Sequence, residues 1–244
     1  MFGSLEITES IDPASHSVDT PPLRFRISPE AFFQVNTAQA AALYAKALDA
    51  CELAGDEVLW DVYCGSGTIS GFLACKARAV LGVESSEASV RDAWANAASN
   101  RDMASPPLAG RLCFAAGEAE KLLPAILGDP GALAETLRRQ ARLRQAAAGY
   151  AGAPSPELVR LLSETKPDAV VLDPPTKGAK SEALQAILAA KPKRIVYVSC
   201  NPATLARDLH ILVSQGAYEI RSLQPIDLFP QTAHVETVVS LYEK

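Results

Sequence analysis

The stretch Leu59–Ser70, LWDVYCGSGTIS, decides the fold. An apolar run meets two glycines separated by one residue, and a helical pattern follows, so the segment reads as a strand, a tight turn and a helix. Gly65 and Gly67 would let the backbone approach a ligand while the helix amino terminus points at it. A glycine turn alone is a weak signal. A dinucleotide site reads G-x-G-x-x-G, and Ser70 takes the third glycine position, which argues against hydride transfer.

The neighbouring segments supply the rest of the sheet. EVLWDVY, AVLGVE, LCFAAG, AVVLDP and RIVYVSC are short apolar runs separated by enough chain for crossover helices, which predicts a parallel sheet covered on both faces. YEIRSLQPID and HVETVVSLYE lie close together and predict an antiparallel hairpin at the sheet edge. Ahead of the glycine turn, LRFRISPEAFFQVN alternates like a strand, and TAQAAALYAKALDACEL reads as a helix capped by Asn36 or Thr37. The expected class is α/β, a Rossmann-like and mostly parallel sheet with an antiparallel C-terminal hairpin, similar to the fold of S-adenosylmethionine-dependent methyltransferases.

With 244 residues, 48% of them hydrophobic, one full-sized domain is the expectation. Residues 1–24 read as a strand remnant or linker, and 25–244 as the catalytic domain. Within it, 128–166 is longer than one crossover needs and reads as a helix, a Gly/Pro-rich loop and a second helix. Arg138, Arg139, Arg142 and Arg144 of this insertion are either a solvated helix face or a contact for an RNA backbone. The net charge of −5 excludes coating nucleic acid by bulk charge. Five scattered cysteines without a C-x-x-C pair give neither a zinc knuckle nor a disulfide framework, so no metal site is expected. Reduced thiols, no signal peptide and no apolar run near the ~18 residues of a membrane span point to an intracellular, cytoplasmic chain without membrane contact.

Glu84 ends the second strand, 23 residues after Asp61, where a doubly wound sheet places the carboxylate that accepts hydrogen bonds from ribose hydroxyls. With no phosphate-binding lysine in the glycine turn and Asp61 at its entrance, a cationic nucleoside such as S-adenosylmethionine suits the site better than a polyphosphate. Asp173-Pro174-Pro175 freezes the backbone at the end of strand four, and Ser199-Cys200-Asn201-Pro202 ends strand five at the same rim. There Cys200 reads as a nucleophile rather than a packing residue. Carbon 5 of a pyrimidine is too poor a nucleophile to take a methyl group until a thiolate adds at carbon 6, and a base must then remove the carbon 5 proton. Glu236, an acid inside an apolar strand with His234 expected on the same strand face, is the candidate base.

FFQVN, DVYCGSGTIS, GVE, DPP, VYVSCNPATLARDL and DLFPQTAHVETV together resemble the RNA uracil-5-methyltransferases, from about Phe25 to Lys244. The resemblance implies 5-methyluridine formation in RNA, transfer RNA ahead of ribosomal RNA, with S-adenosyl-L-methionine as cofactor. It implies Cys200 as nucleophile, Glu236 as proton acceptor, and Gln34, Tyr63, Gly65, Gly67, Thr68, Glu84 and Asp173 around the cofactor, with Glu118 near the adenine. Where the family usually reads D-P-P-R-x-G, this chain has Thr176-Lys177-Gly178, so the arginine's role passes to Lys177 or is missing. Members normally carry an amino-terminal RNA-binding domain, and nothing in this sequence corresponds to it. The alternatives are an RNA cytosine-5-methyltransferase, which would carry a second cysteine in the strand-four motif, and a non-catalytic RNA-binding protein that keeps the fold.

Overall fold

The computed structural model describes residues 7–12, 21–30, 34, 36–103, 107–147, 149, 152–232 and 234–244. Phe32, Phe33 and Val35 of the FFQVN motif lie outside the described residues, as do 1–6 and 13–20 of the amino-terminal segment.

Strands β1 (Ile7–Ile11) and β2 (Leu23–Ile27) form an antiparallel pair in which Ile7 faces Ile27 and Ile11 faces Leu23. The division expected at 24/25 therefore falls inside β2. Helix α1 (Thr37–Cys51) follows, capped by the Asn36 side chain, which accepts from the Gln39 amide. Then come β3 (Val58–Val62), α2 (Thr68–Lys76), β4 (Ala79–Glu84), α3 (Glu87–Ser99) and β5 (Leu112–Ala116). Helices α4 (Ala119–Gly128), α5 (Gly131–Arg139), α6 (Ala141–Ala146) and α7 (Pro156–Glu164) lead to β6 (Ala169–Leu172). The chain ends with α8 (Ser181–Ala190), β7 (Arg194–Ser199), α9 (Pro202–Ser214), β8 (Tyr218–Ile226) and β9 (Glu236–Glu243).

Among the described residues β3 to β9 form one sheet in the order β5-β4-β3-β6-β7-β9-β8, parallel from β5 to β7 and antiparallel on both sides of β9. The middle strands are buried along their whole length, which is why they read as unbroken apolar runs rather than alternating ones. After β3 the chain winds outward through β4 and β5, then crosses back to β6 and β7. The strand order reverses between β3 and β6, and ligands of open α/β sheets bind at the carboxyl ends of the strands beside such a reversal. Four of the expected motifs sit there: the glycine turn after β3, Glu84 at the end of β4, Asp173 after β6 and Cys200 after β7.

Helix α3 holds β2 in place through three polar side chains spaced four residues apart. Asn100 accepts from the Arg24 amide at 2.8 Å and donates to the Arg24 carbonyl, Asn96 does the same for Arg26, and Asp92 accepts from the Ser28 amide at 3.1 Å. One helix face thus substitutes for a neighbouring strand and satisfies the free edge of β2.

The insertion differs from expectation in one respect. Its first helix breaks at Gln140, whose side-chain carbonyl accepts from the Ala116 amide at 2.8 Å while its amide donates to the Ala116 carbonyl. This closes the end of edge strand β5, while Leu133, Leu137, Leu143, Leu158 and Leu162 are buried beneath the insertion. The arginines of the cluster each have a partner within the protein. Arg138 and Arg139 pair with Glu135, Arg142 pairs with Glu87 at 3.0 Å, and Arg144 is buried over the Trp94 ring with its guanidinium donating to the Leu137 carbonyl. Among the described residues no helix is long and apolar enough to cross a membrane.

Candidate active site

One cavity of about 1130 Å³ opens at the strand-order reversal. Of the residues expected in the site, Gln34, Tyr63, Gly65, Thr68, Glu84, Asp173, Cys200 and Glu236 line it, as does Glu118. Gly67 does not. It caps α2 with φ +77°, and a Cβ on it would lie 2.9 Å from the Phe114 ring and 3.0 Å from the Ala93 methyl. Its glycine serves packing of the turn against α3 and β5 rather than close approach of a ligand.

The glycine turn is fixed from several sides. The Tyr63 and Cys64 amides both donate to the Val83 carbonyl, and Tyr63 takes φ +65°, rare for a residue with a side chain. Asn96 donates to the Ser66 carbonyl at 3.0 Å, so the side chain that holds β2 also holds the turn. Ser70, where a dinucleotide fold has glycine, donates to Asp61 at 2.5 Å inside the sheet. Glu84 accepts from the Gly65 amide at 3.2 Å, the Ser86 amide at 2.7 Å and the Ser85 hydroxyl at 3.0 Å. A carboxylate has about four acceptor positions, so one remains for a ligand.

The deep end of the cavity is acidic. Asp173 and Glu236 line it, with Asp61 behind them in β3. Burial pushes the Asp173 carboxyl well above the usual range, and the charges of Glu236 and Asp61 add to that rise. Burial alone moves Glu236 up to about 7. Among the described residues Gln34 Oε1, Glu236 Oε2 and Asp61 Oδ1 have no hydrogen-bond partner, and Gln34 and Glu236 face the cavity. Unpaired buried acceptors are costly unless something else meets them, so they mark where a ligand's donors or positive charge would sit. Tyr44, from the alanine-rich helix α1, also lines the cavity. Tyr44 carries no distinguishing signal in the sequence, because an aromatic in a buried helix face is ordinarily packing.

Asp61 yields a test of this acidic arrangement. Burial raises its carboxyl to about 7, opposed by the Ser70 hydrogen bond and reinforced by Glu84. A folded-state value above the unfolded one means the native state holds the extra proton, so stability falls as pH rises from about 4 to about 7. Asp61→Asn, which keeps an acceptor for Ser70, is expected to stabilise the fold above pH 7 by on the order of 3 kcal/mol and to do almost nothing near pH 4. Urea unfolding at both pH values checks this; an equal effect at each would contradict it.

Cys200 and Glu236 reach the cavity from adjacent strands. Ser199 of β7 and Thr237 of β9 are the last pair of their antiparallel ladder, and Cys200 and Glu236 are the next residues beyond it, both lining the cavity. Glu236 is 3% exposed and starts an inner strand, not an edge strand. His234 departs from expectation: β9 begins at Glu236, and His234 lies ahead of it, exposed and edge-on to Phe229. The rim near Cys200 carries Lys177, Lys180 and Arg207; Lys180 pairs with Glu120 and Arg207 with the buried Asp208. A thiol and a protonatable carboxyl thus face one end of a cavity whose other end is a glycine turn with an acidic partner, an arrangement suited to covalent activation of a ring beside a bound nucleoside.

The family model described as tRNA (Uracil-5-)-methyltransferase matches residues 8–104 and 159–244. The unmatched residues between include α4, α5 and α6. An uncharacterized RNA methyltransferase of Oceanobacillus iheyensis is 41% identical over 219 residues, covering 90% of this chain and 39% of the relative. One from Listeria monocytogenes is 40% identical over 220 residues with the same coverage. The chain thus spans about 39% of the length of these curated relatives. Among solved structures, the Pyrococcus abyssi tRNA (uracil-54, C5)-methyltransferase in complex with S-adenosyl-L-homocysteine superposes with a TM-score of 0.67 at 26% identity, over 98% of this chain and 45% of that one.

Proposed function

We propose that this chain, which belongs to the tRNA (uracil-5-)-methyltransferase family, methylates carbon 5 of a uridine in RNA, transfer RNA ahead of ribosomal RNA, through a covalent adduct on Cys200. The observation that supports the reading is that Cys200 and Glu236, each one residue beyond the last β7–β9 pair, line the same cavity as the glycine turn and Glu84.

The residues fit S-adenosylmethionine. Glu84 keeps an acceptor for a ribose hydroxyl, Gln34 Oε1 awaits a donor, and the acidic end formed by Asp173 and Glu236 favours a cation. Tyr63, Gly65 and Thr68 complete the wall, with Glu118 at the outer side. When bound, this cofactor supplies an electrophilic methyl group and is left as a neutral thioether.

The protein's own groups frame that transfer. The Cys200 thiolate adds to carbon 6, forming an S–C6 bond while the C5–C6 π pair moves into an enolate ending on the carbon 4 oxygen. That electron density makes carbon 5 able to take the methyl group. Glu236 then removes the carbon 5 proton, the C–H pair re-forms the C5–C6 double bond, and the S–C6 pair returns to Cys200 as thiolate. The proton leaves from Glu236 to solvent.

Because Glu236 must be ionised to accept the proton and burial holds it near 7, turnover is expected to rise with pH through a midpoint near 7. A profile flat from about pH 6 to about pH 8 would rule out Glu236 as the limiting base. Incubation with unmodified transfer RNA and labelled cofactor, followed by nucleoside analysis, tests the reading itself: 5-methyluridine supports it, and 5-methylcytidine or an unmethylated product counts against it.

A further inference from the structure

The loop that follows β6 is bound to the start of α9 by an unusually complete set of hydrogen bonds. The Thr176 carbonyl accepts from Asn201 Nδ2 at 3.3 Å and from Thr204 Oγ1 at 3.2 Å. Arg207 donates to the Lys177 and Ala179 carbonyls at 3.0 and 3.2 Å. Asp208 is fully buried and accepts from the Ala179 amide at 2.8 Å, the Tyr197 hydroxyl at 2.5 Å and Arg207 Nε at 2.8 Å. Gly178 sits within this clamp at φ +79°, where a Cβ would lie 2.4 Å from the Arg207 guanidinium and 2.6 Å from Asp208. The clamp holds the backbone of the loop that carries Thr176, including its own carbonyl. It sets Thr176 Oγ1 3.6 Å from Cys200 Sγ, the one hydrogen bond found for this thiol among the described residues.

We propose that Thr176 is a positioning residue for Cys200, its hydroxyl held by the Asp208-centred clamp so as to donate to the thiolate when it attacks and when it is expelled. The inference rests on the reading of Cys200 as nucleophile. It gives a role to the position at which this chain departs from its family's usual arginine, and that role is not the arginine's. The neutral thiol donates to Thr176; once ionised, the sulfur becomes the acceptor and the hydroxyl reverses. A hydrogen bond to a charged partner is stronger than one between neutral groups, so the contact favours the reactive form.

The test compares Thr176→Val, which keeps the shape and loses the hydroxyl, with Thr176→Ser, which keeps the donor. Turnover is expected to fall about tenfold or more in the Val variant, with RNA KM and S-adenosylhomocysteine affinity within about twofold, and to be largely kept in the Ser variant. Alkylation of Cys200 by iodoacetamide near pH 7, read by peptide mass spectrometry against half-buried Cys75, is expected to slow about threefold in Val, since the attacking sulfur loses the hydroxyl that positions it. Gly178→Ala loosens the clamp with Thr176 intact and is expected to give the same loss, with circular dichroism checking that it folds. Wild-type alkylation and turnover in Thr176→Val would overturn the inference. Absence of methyl transfer by the wild type despite cofactor binding would instead overturn the functional reading, while the alkylation ratio still decides the role of Thr176.

Discussion

Cys200→Ala is expected to abolish methyl transfer, by at least about four orders of magnitude, while cofactor affinity stays within about twofold. The asymmetry follows from where the residue sits. Cys200 follows β7, whereas Tyr63, Gly65, Thr68 and Glu84, proposed to hold the nucleoside, come from β3, α2 and β4 across the strand-order reversal. Removing the thiol takes away the attack at carbon 6, without which carbon 5 has no usable electron density. No neighbouring group can stand in: the remaining cysteine of the cavity, Cys64, is buried in the glycine turn, where burial first and the Asp61 and Glu84 charges next hold its thiol far above the usual range. Calorimetric titration with S-adenosylhomocysteine and a methyl-transfer assay separate the two effects. Parallel loss of both would mean that Cys200 supports the fold of the pocket and not the chemistry.

Glu236→Gln is expected to stop the reaction one step later. Methyl transfer proceeds, but the carbon 5 proton stays, so a methylated protein–RNA complex accumulates at about one methyl group per protein and turnover falls by about 10²–10⁴-fold. Glutamine preserves the shape, and it removes a carboxyl that is costly to ionise at this buried position. The variant should therefore fold at least as well as the wild type above pH 7, where the native carboxyl carries its desolvation cost, and equally well at low pH. Denaturing gel electrophoresis with methyl-labelled cofactor reads the trapped complex. Free methylated RNA released at the wild-type rate would assign the proton to another group.

Much of this site was legible in the sequence because its parts are local. Buried parallel strands are apolar from end to end, so β3, β4, β5, β6 and β7 stood out as runs, and their ends named the loops that meet at the cavity. Glu236 stood out as an acid in an apolar strand. What was not legible depends on pairing between distant segments. The place of β9 between β7 and β8, which turns Glu236 from an edge residue into a buried one, is a fact of sheet order. The arginines of the insertion looked like a cationic stripe, since spacing along a helix reveals neither Glu87, 55 residues away, nor the Trp94 ring under Arg144. The roles of Asn96 and Asn100 likewise depend on β2, some 70 residues earlier, lying against them. The motif that departs from its family, Thr176-Lys177-Gly178, raised doubt in the sequence and gained a contact in three dimensions, the Thr176 hydroxyl against Cys200.

The central claim, that Cys200 attacks a uracil ring while a methyl group is delivered to carbon 5, is tested most directly with RNA containing 5-fluorouridine. Fluorine at carbon 5 cannot be removed as a proton, so the adduct has no exit. Intact-mass analysis of the wild type with this RNA and S-adenosylmethionine is predicted to show protein plus RNA plus one methyl group, and Cys200→Ala is predicted to show free protein alone. An adduct that persists in Cys200→Ala, or none in a wild type that binds both cofactor and RNA, would contradict the account.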